Sequence, residues 1–353
     1  MKKGEGPEVP VKVFLVAGEP SGDALAARMM VGLKQCLTDQ TIEFSGVGGP
    51  LMEKEGLVSL FPMDELTIMG IAEVLPKIPH LLKRIHQTAQ SAIDMTPDVF
   101  ISVDAPDFSF RVAKKLNSAS FTKIHYVAPS VWAWRPGRAA KIARLYDHLL
   151  TLLPFEPPYF EKEGLSATFI GHSVIEAGAD KGNRQVFRIS HGFKDNDPIL
   201  MVLPGSRRSE VSRHLDIFRE TVLRVQKLIP ELSVIVPVIG KSADIVREHL
   251  KSWPLKSVII DGEQDKYDAM AGADVALAAS GTVGLELALA KLPAVIAYKM
   301  HPITAYLARK LVKLDYVNLI NILSKKEVVP EHLLENCKPS NLAPSLVELF
   351  ENK

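Results

Sequence analysis

Short apolar runs rich in β-branched residues recur along this chain and alternate with longer stretches of helical period. VKVFLVAG at 11–18, DVFISVDA at 98–105, KIHYVAPS at 123–130 and HLLTLLP at 148–154 form a first series. ILMVLPG at 199–205, LSVIVPVIG at 232–240, SVIIDG at 257–262, DVALAAS at 274–280 and AVIAYK at 294–299 form a second. These runs lack polar alternation, the pattern of parallel strands covered on both faces. Between them, segments such as 22–37, 209–229 and 282–291 carry helical spacing. Strand and helix in alternation predict a doubly wound α/β fold.

The alternation pauses once. Residues 171–197 are polar, glycine-containing and poorly periodic, apart from a short helical pattern around Arg184–Ser190. A domain boundary is therefore expected near residue 175, giving Rossmann-like domains over 1–175 and 176–353, with the last helix free to pack back on the first domain. Each half opens alike, with a strand, a Gly/Pro/Ser turn and a helix: VFLVAGEPSGD in one, ILMVLPGSRRSE in the other. The predicted fold class is α/β, two Rossmann-like domains facing a cleft at the carboxyl ends of their strands, where open α/β sheets bind ligands.

Length agrees with two domains, since 353 residues exceed one ordinary core. A net charge of +1 gives no field that would gather a nucleic acid, and none is expected as partner. Cys36 and Cys337 stand far apart without a partner motif, which suits a reducing cytosol and excludes a disulfide framework. No stretch reaches the roughly 20 apolar residues of a membrane span. The N-terminus reads as a buried strand entering a glycine loop, not as a signal peptide. These features predict a cytoplasmic protein.

The chemistry-bearing motifs fall at strand ends. In LPGSRRSE, Gly205 and Ser206 sit where a helix begins, with Arg207 placed for a phosphate, because helix N-termini favour anions. ASGTVGLE repeats the device: Ser280, Gly281 and Thr282 make the turn and N-cap, and Glu286 follows as a carboxylate for ribose hydroxyls. Either motif alone is equally a plain βα turn with a capped helix; the pair in one half points to a nucleotide. GEPSGD at 18–23 does not match the G-x-S-x-G elbow of hydrolases, and its bland reading makes Ser21 and Asp23 cap residues. In VDAPDF, Asp104 ends a strand and is placed to take a proton from a sugar hydroxyl, while Asp107 reads as an N-cap. No clustered ligands suggest a metal, and no cofactor is expected. Trp132, Trp134, Arg135 and Arg138 of PSVWAWRPGR suit sugar stacking or an anion, though a packed indole with surface arginines explains them as well. Segment 68–87 has basic residues beside an apolar helical stripe, which fits a lipid-facing surface or a core helix that Pro76 and Pro79 must interrupt.

Taken in order, AGEPSGD, FSGVGGPLMEKEG, MGIAEVLP, DAPDF, APSVWAWRPGR, LPFE, FIGH, LPGSRRSE, ASGTVGLELAL, VNLINIL and EVVP resemble the lipid-A-disaccharide synthase family over nearly the whole chain. The resemblance implies a GT-B fold and an inverting glycosyltransferase. It implies UDP-2,3-diacylglucosamine as donor, 2,3-diacylglucosamine 1-phosphate (lipid X) as acceptor, and work on the cytoplasmic surface of the inner membrane. A homodimer stays open. By the same resemblance Asp104 is the base, and Arg207, Glu286 and Asn321 lie on the donor side. Glu19, Ser21, Gly22, Asp23, Met69, Trp132, Trp134 and Arg135 lie on the acceptor and lipid side. The chain departs from the family pattern at GEPSGD for GEASGD, GHS for GHP, and INILSKKEVVP for PNILAGREVVP, so Ile320, Lys325 and Lys326 replace proline, glycine and arginine. Rival readings are another GT-B UDP-sugar transferase or epimerase, and a non-catalytic two-lobed binding protein.

Overall fold

The computed structural model describes residues 9–66, 71–238, 242–301, 304–306, 309 and 314–352. The chain divides into two compact units, Met1–Ser173 and Val174–Lys353, each built on its own parallel sheet.

In the first unit the strands are β1 (Val11–Ala17), β2 (Ile42–Val47), β3 (Val58–Ser59), β4 (Val99–Val103), β5 (Thr122–Tyr126), β6 (His148–Thr151) and β7 (Ser166–Phe169), ordered β3-β2-β1-β4-β5-β6-β7. Its helices are α1 (Pro20–Cys36), α2 (Pro50–Lys54), α3 (Ile71–Met95), α4 (Pro106–Lys115), α5 (Arg138–Ala143) and α6 (Pro157–Glu161). Both faces of the sheet are covered, which explains the unbroken apolar runs. Phe14 and Val16 of β1 join one core with Phe100 and Leu149, while Val13, Leu15 and Ala17 join another with Met30 and Ile101.

The second unit starts with α7 (Arg184–Ser190) and carries β8 (Ile199–Leu203), β9 (Ser233–Val238), β10 (Ser257–Asp261), β11 (Val275–Ala279), β12 (Ala294–Tyr298) and β13 (Glu331–Leu333), ordered β10-β9-β8-β11-β12-β13. Helices α8 (Arg208–Leu228), α9 (Ala243–Leu250), α10 (Glu263–Gly272), α11 (Val283–Leu289), α12 (Leu319–Ser324) and α13 (Pro339–Glu351) surround it. Counted from β8, the order is the 3-2-1-4-5-6 of dinucleotide-binding folds. The last helix, α13, sits in this unit's own core, where Leu342 and Leu346 pack with Phe218, Val222 and Val225 of α8.

Two local features differ from the pattern reading. Pro76 and Pro79 do not break α3, which runs through both to Met95. Each interior proline costs about 3 kcal/mol; the helix is held further on, where Ile85, Ala89 and Ala92 are buried and Arg84 grips Glu65 through Nε (2.7 Å) and Nη2 (2.8 Å). The polar stretch 171–197 is ordered by one arginine. Arg188 is 1% exposed and donates to the carbonyls of Gly272, Lys194, Asp195 and Asp197 and to the Asp274 carboxylate. Asp274 also accepts from Arg184 and from the Ile199 amide, tying α7 to the start of β8.

Candidate functional site

Strand order reverses between β1 and β4 in the first unit and between β8 and β11 in the second. Open α/β sheets bind ligands at such switch points, beyond the carboxyl ends of the strands. Four of the motifs picked out above leave these four strands, and a cavity lies at each reversal.

In the first unit, GEPSGD follows β1 and DAPDF follows β4. The cavity of about 390 Å³ is lined by Gly18 and Glu19 from one loop, Ala105–Phe108 and Arg111 from the other, and Leu66, Ile78, Leu81, Leu82 and Ile85. Asp104 heads the second loop. Its backbone is left-handed (φ 51°), as is that of Ala105 (φ 45°). The turn is pinned by the Asp104 amide on the Tyr126 carbonyl (2.9 Å) and by the Ser109 hydroxyl donating to the Asp104 carbonyl (2.9 Å). Burial raises the pKa of the Asp104 carboxyl; an amide hydrogen bond at Ala105 and one from the Ser21 side chain oppose that rise. The structure therefore brings Ser21 and Asp104 together.

Other residues of these loops take roles that spacing does not reveal. The cap of α1 is Glu19, with no side-chain cap bond. Asp23 is buried and accepts from the amides of Gly49 (2.9 Å), Leu51 (3.1 Å) and Met52 (3.0 Å), so its carboxylate closes the start of α2. Gly49 is needed there: a Cβ would lie 2.6 Å from that carboxylate. Gly22 is buried in the first turn of α1. The cap of α4 is Ala105 rather than Asp107, whose side chain is 94% exposed. Met69 lies outside the described residues.

The two tryptophans of VWAWR separate. Trp132 Nε1–H donates to Glu156 Oε1 (3.2 Å), and the indole meets Phe155 edge-on at 5.2 Å. Glu156, whose carboxyl is pushed up in pKa by burial, also accepts from the Leu152 and Leu153 amides. Trp132 is thus packed onto the LPFE turn. Trp134 is a platform instead: the guanidinium of Arg135 lies 4.3 Å from its ring centre and that of Arg138 lies 5.8 Å away.

In the second unit the cavity is about 250 Å³, lined by Leu203–Ser206, Glu210, Pro237, Lys266, Ala279–Val283 and Glu286. Gly205, Ser206, Ser280, Gly281, Thr282 and Glu286 therefore meet in one place, and Arg207 caps α8 at its rim. Gly205 adopts φ 116°, and a Cβ on it would lie 2.4 Å from Glu210 Oε2. That carboxylate accepts from the Ser206 amide (3.3 Å). Thr282 caps α11, without a side-chain cap bond. His214, fully buried, ties the rim together through Nδ1 to the Pro204 carbonyl (3.0 Å) and through Nε2, which accepts from the Lys299 amide (3.0 Å). Those partners fix the neutral Nδ1–H tautomer, and burial lowers the pKa of the ring.

Lys266 is the residue that pattern reading missed. It lies inside α10, in a helix with no motif, yet its Nζ reaches Glu286 Oε1 at 2.8 Å with side-chain exposures of 8% and 15%. Asn321, expected on the donor side, is fully buried elsewhere. Its Nδ2 donates to the Val329 carbonyl (2.7 Å) and Glu331 Oε1 (2.6 Å), and its Oδ1 accepts from the Val328 and Val329 amides (2.8 and 2.9 Å). With both ends of the amide occupied, Asn321 shapes the loop into β13. Among the described residues no three His, Cys, Asp or Glu side chains gather as a metal site.

The family described as lipid-A-disaccharide synthetase matches residues 13–353. Lipid-A-disaccharide synthase of Rhodospirillum centenum is 52% identical, over 97% of this chain and 85% of its own length. The chain belongs to the lipid-A-disaccharide synthase family. The Ruegeria pomeroyi enzyme of that name is 48% identical over 95% of this chain and 86% of its own length. Among solved structures, a putative UDP-N-acetylglucosamine 2-epimerase from Listeria monocytogenes has a TM-score of 0.64 at 13% identity, covering 98% of this chain and 89% of its own. Acinetobacter baumannii MurG has a TM-score of 0.57 at 11% identity, covering 96% and 90%. At such identities these two speak for the fold alone. Membership in the lipid-A-disaccharide synthase family makes the chain a glycosyltransferase of two Rossmann-like domains.

Proposed function

We propose that this chain transfers 2,3-diacylglucosamine from UDP-2,3-diacylglucosamine to 2,3-diacylglucosamine 1-phosphate, giving the β-1,6 disaccharide 1-phosphate and UDP. The observation that carries the mechanism is Asp104: a half-buried carboxylate in a strained turn at the switch point, beside an open cavity. A base so placed takes the proton of the acceptor 6-hydroxyl as its oxygen attacks the anomeric carbon. The sugar–phosphate bond breaks on the opposite side, which inverts that carbon. The electron pair leaves with UDP.

The donor belongs in the second unit's cavity. Its diphosphate is met by the amide-rich turns at Gly205–Ser206 and Ser280–Thr282 and by Arg207, where developing negative charge is stabilised. Glu286 serves the ribose hydroxyls, oriented by Lys266. On the acceptor side, Ile78 and Leu82 remain 38% and 49% exposed and join Leu66 and Phe108 along the cavity wall, a surface suited to acyl chains. The described residues contain no helix long and apolar enough to cross a membrane, and contact with the cytoplasmic face of the inner membrane through this wall is part of the proposal. The test is direct: purified protein, both diacylated substrates, and detection of disaccharide 1-phosphate and UDP. Turnover of plain UDP-N-acetylglucosamine without disaccharide would refute it.

A further inference from the structure

A second feature of the first unit is not used by the reaction as described above. Phe110, Arg135, Gly137, Arg138, Lys141 and Ile142 line a hollow of about 610 Å³. Three of these six are cations, and none is a carboxylate. The nearby Asp107 lies 4.0 Å from Arg138, at the limit of an ion pair, with its side chain 94% exposed. A pair so exposed is worth little and leaves the hollow positive.

The cations are also held. Arg135 and Arg138 both lie against Trp134, at 4.3 and 5.8 Å from the ring centre. Arg135 keeps a left-handed backbone (φ 53°) that a side-chain-bearing residue adopts only under strain. The floor is fixed as well: Phe110 meets His125 edge-on at 5.0 Å and Tyr146 at 5.9 Å. Two oriented guanidinium groups beside a lysine match a compact dianion with three terminal oxygens.

We propose that this hollow binds the phosphomonoester of the acceptor sugar, an inference that rests on the transferase reading above. Position supports it. Phe110 stands on α4 four residues beyond Pro106, about 6 Å of helix, and α4 begins next to Asp104. Arg138 of the hollow also comes within 4.0 Å of Asp107, which lines the cavity beside Asp104, and the proposal sets the acceptor's hydroxyl and its phosphate at the two ends of that path.

The test compares wild type with Arg138→Gln/Lys141→Gln, and with Arg138→Lys as the conservative variant. Losing two charge-assisted contacts raises the KM for phosphorylated acceptor about ten- to a hundredfold. The donor KM and thermal midpoint stay put, and Arg138→Lys recovers part of the loss. With acceptor lacking the phosphate, wild type and double variant become equally poor. An unchanged KM, or the same loss on phosphate-free acceptor, overturns the proposal. Loss of binding to phosphatidylglycerol vesicles with the acceptor KM intact would assign the hollow to lipid headgroup phosphate instead, and overturns it too. If wild type makes no disaccharide, the transferase reading fails and the hollow is judged alone. Saturable ³¹P shifts of glucosamine 1-phosphate that vanish in the double variant then keep the phosphate site; their absence in wild type removes it.

Discussion

Replacing Asp104 with asparagine separates chemistry from folding. The position is left-handed (φ 51°), and asparagine tolerates that region better than almost any residue except glycine. The variant therefore keeps the turn, and its amide still accepts from the Ser21 side chain. Burial raises the Asp104 pKa above its ordinary 3.8, so the fold disfavours the ionised form. The sign follows from linkage: a carboxyl whose folded pKa lies above its unfolded value takes stability away as pH rises through the interval between them. At neutral pH the neutral amide leaves the thermal midpoint unchanged or raises it. Activity moves the other way. A positioned base contributes about 10²–10⁴ in rate, or roughly 3–5 kcal/mol at 1.36 kcal/mol per decade. Steady-state kinetics with both diacylated substrates, calorimetry and UDP titration form the assay. The expected result is kcat/KM down by that factor, with midpoint and UDP affinity held. The acid limb of the wild-type pH profile, which reports ionisation of Asp104, should disappear in the variant. A wild-type rate, or a fall in midpoint large enough to account for lost activity, would refute the reasoning.

Other consequences follow from single residues. Lys266→Met leaves the Glu286 carboxylate without its partner in a site 8–15% exposed, so denaturant unfolding should show a loss of about 3–5 kcal/mol, with Lys266→Met/Glu286→Leu recovering much of it; UDP affinity should fall in both. Lys325→Gly, at φ 53° after α12, should stabilise the protein by about 1 kcal/mol in the same assay, because the left-handed cap strains any side chain. His125 is buried with its pKa lowered to about 3 from 6.5 by desolvation. The unfolded chain therefore binds that proton first, and stability should decline by up to about 1.4 kcal/mol per pH unit as pH falls from 6.5 toward 3. His125→Phe should flatten that slope.

The apolar runs were legible because both faces of each sheet are buried, so nine strand segments announce themselves without any tertiary knowledge. The edges did not. Strand β7 has its ends exposed and β13 is three half-buried residues, and neither leaves a pattern. In β2, Glu43, Ser45 and Gly46 break the run, although Phe44 and Val47 are buried. The motif loops were legible as sites because switch-point geometry turns a Gly/Ser turn after a strand into a ligand loop. Lys266 was not, since its pairing with Glu286 joins two helices twenty residues apart and leaves no spacing signal. Asp23 and Asn321 show the converse: residues at the heart of family motifs whose polar atoms are all turned inward, onto the backbone of α2 in one case and onto the loop before β13 and the Glu331 carboxylate in the other.

The same geometry says how the two units differ in building a site. The second unit opens its ligand turn with Gly205 at φ 116°, where glycine meets no steric penalty. The first unit uses side-chain-bearing residues in the left-handed region instead: Asp104 and Ala105 after β4, Val127 (φ 80°) after β5, and Arg135 (φ 53°) in the following loop. Valine is among the least suited residues for such a turn. Each costs on the order of 1–2 kcal/mol, yet the Asp104 and Val127 amides are locked onto the Tyr126 and Leu150 carbonyls (2.9 and 3.0 Å), so sheet hydrogen bonds enforce the conformation. Glycine at Asp104 or Arg135 would relieve the strain and delete the charge. The strain is therefore the physical consequence of needing a carboxylate and a guanidinium on a rim whose backbone path favours glycine. It gathers along the carboxyl edge where the acceptor's reacting hydroxyl and its phosphate are proposed to lie.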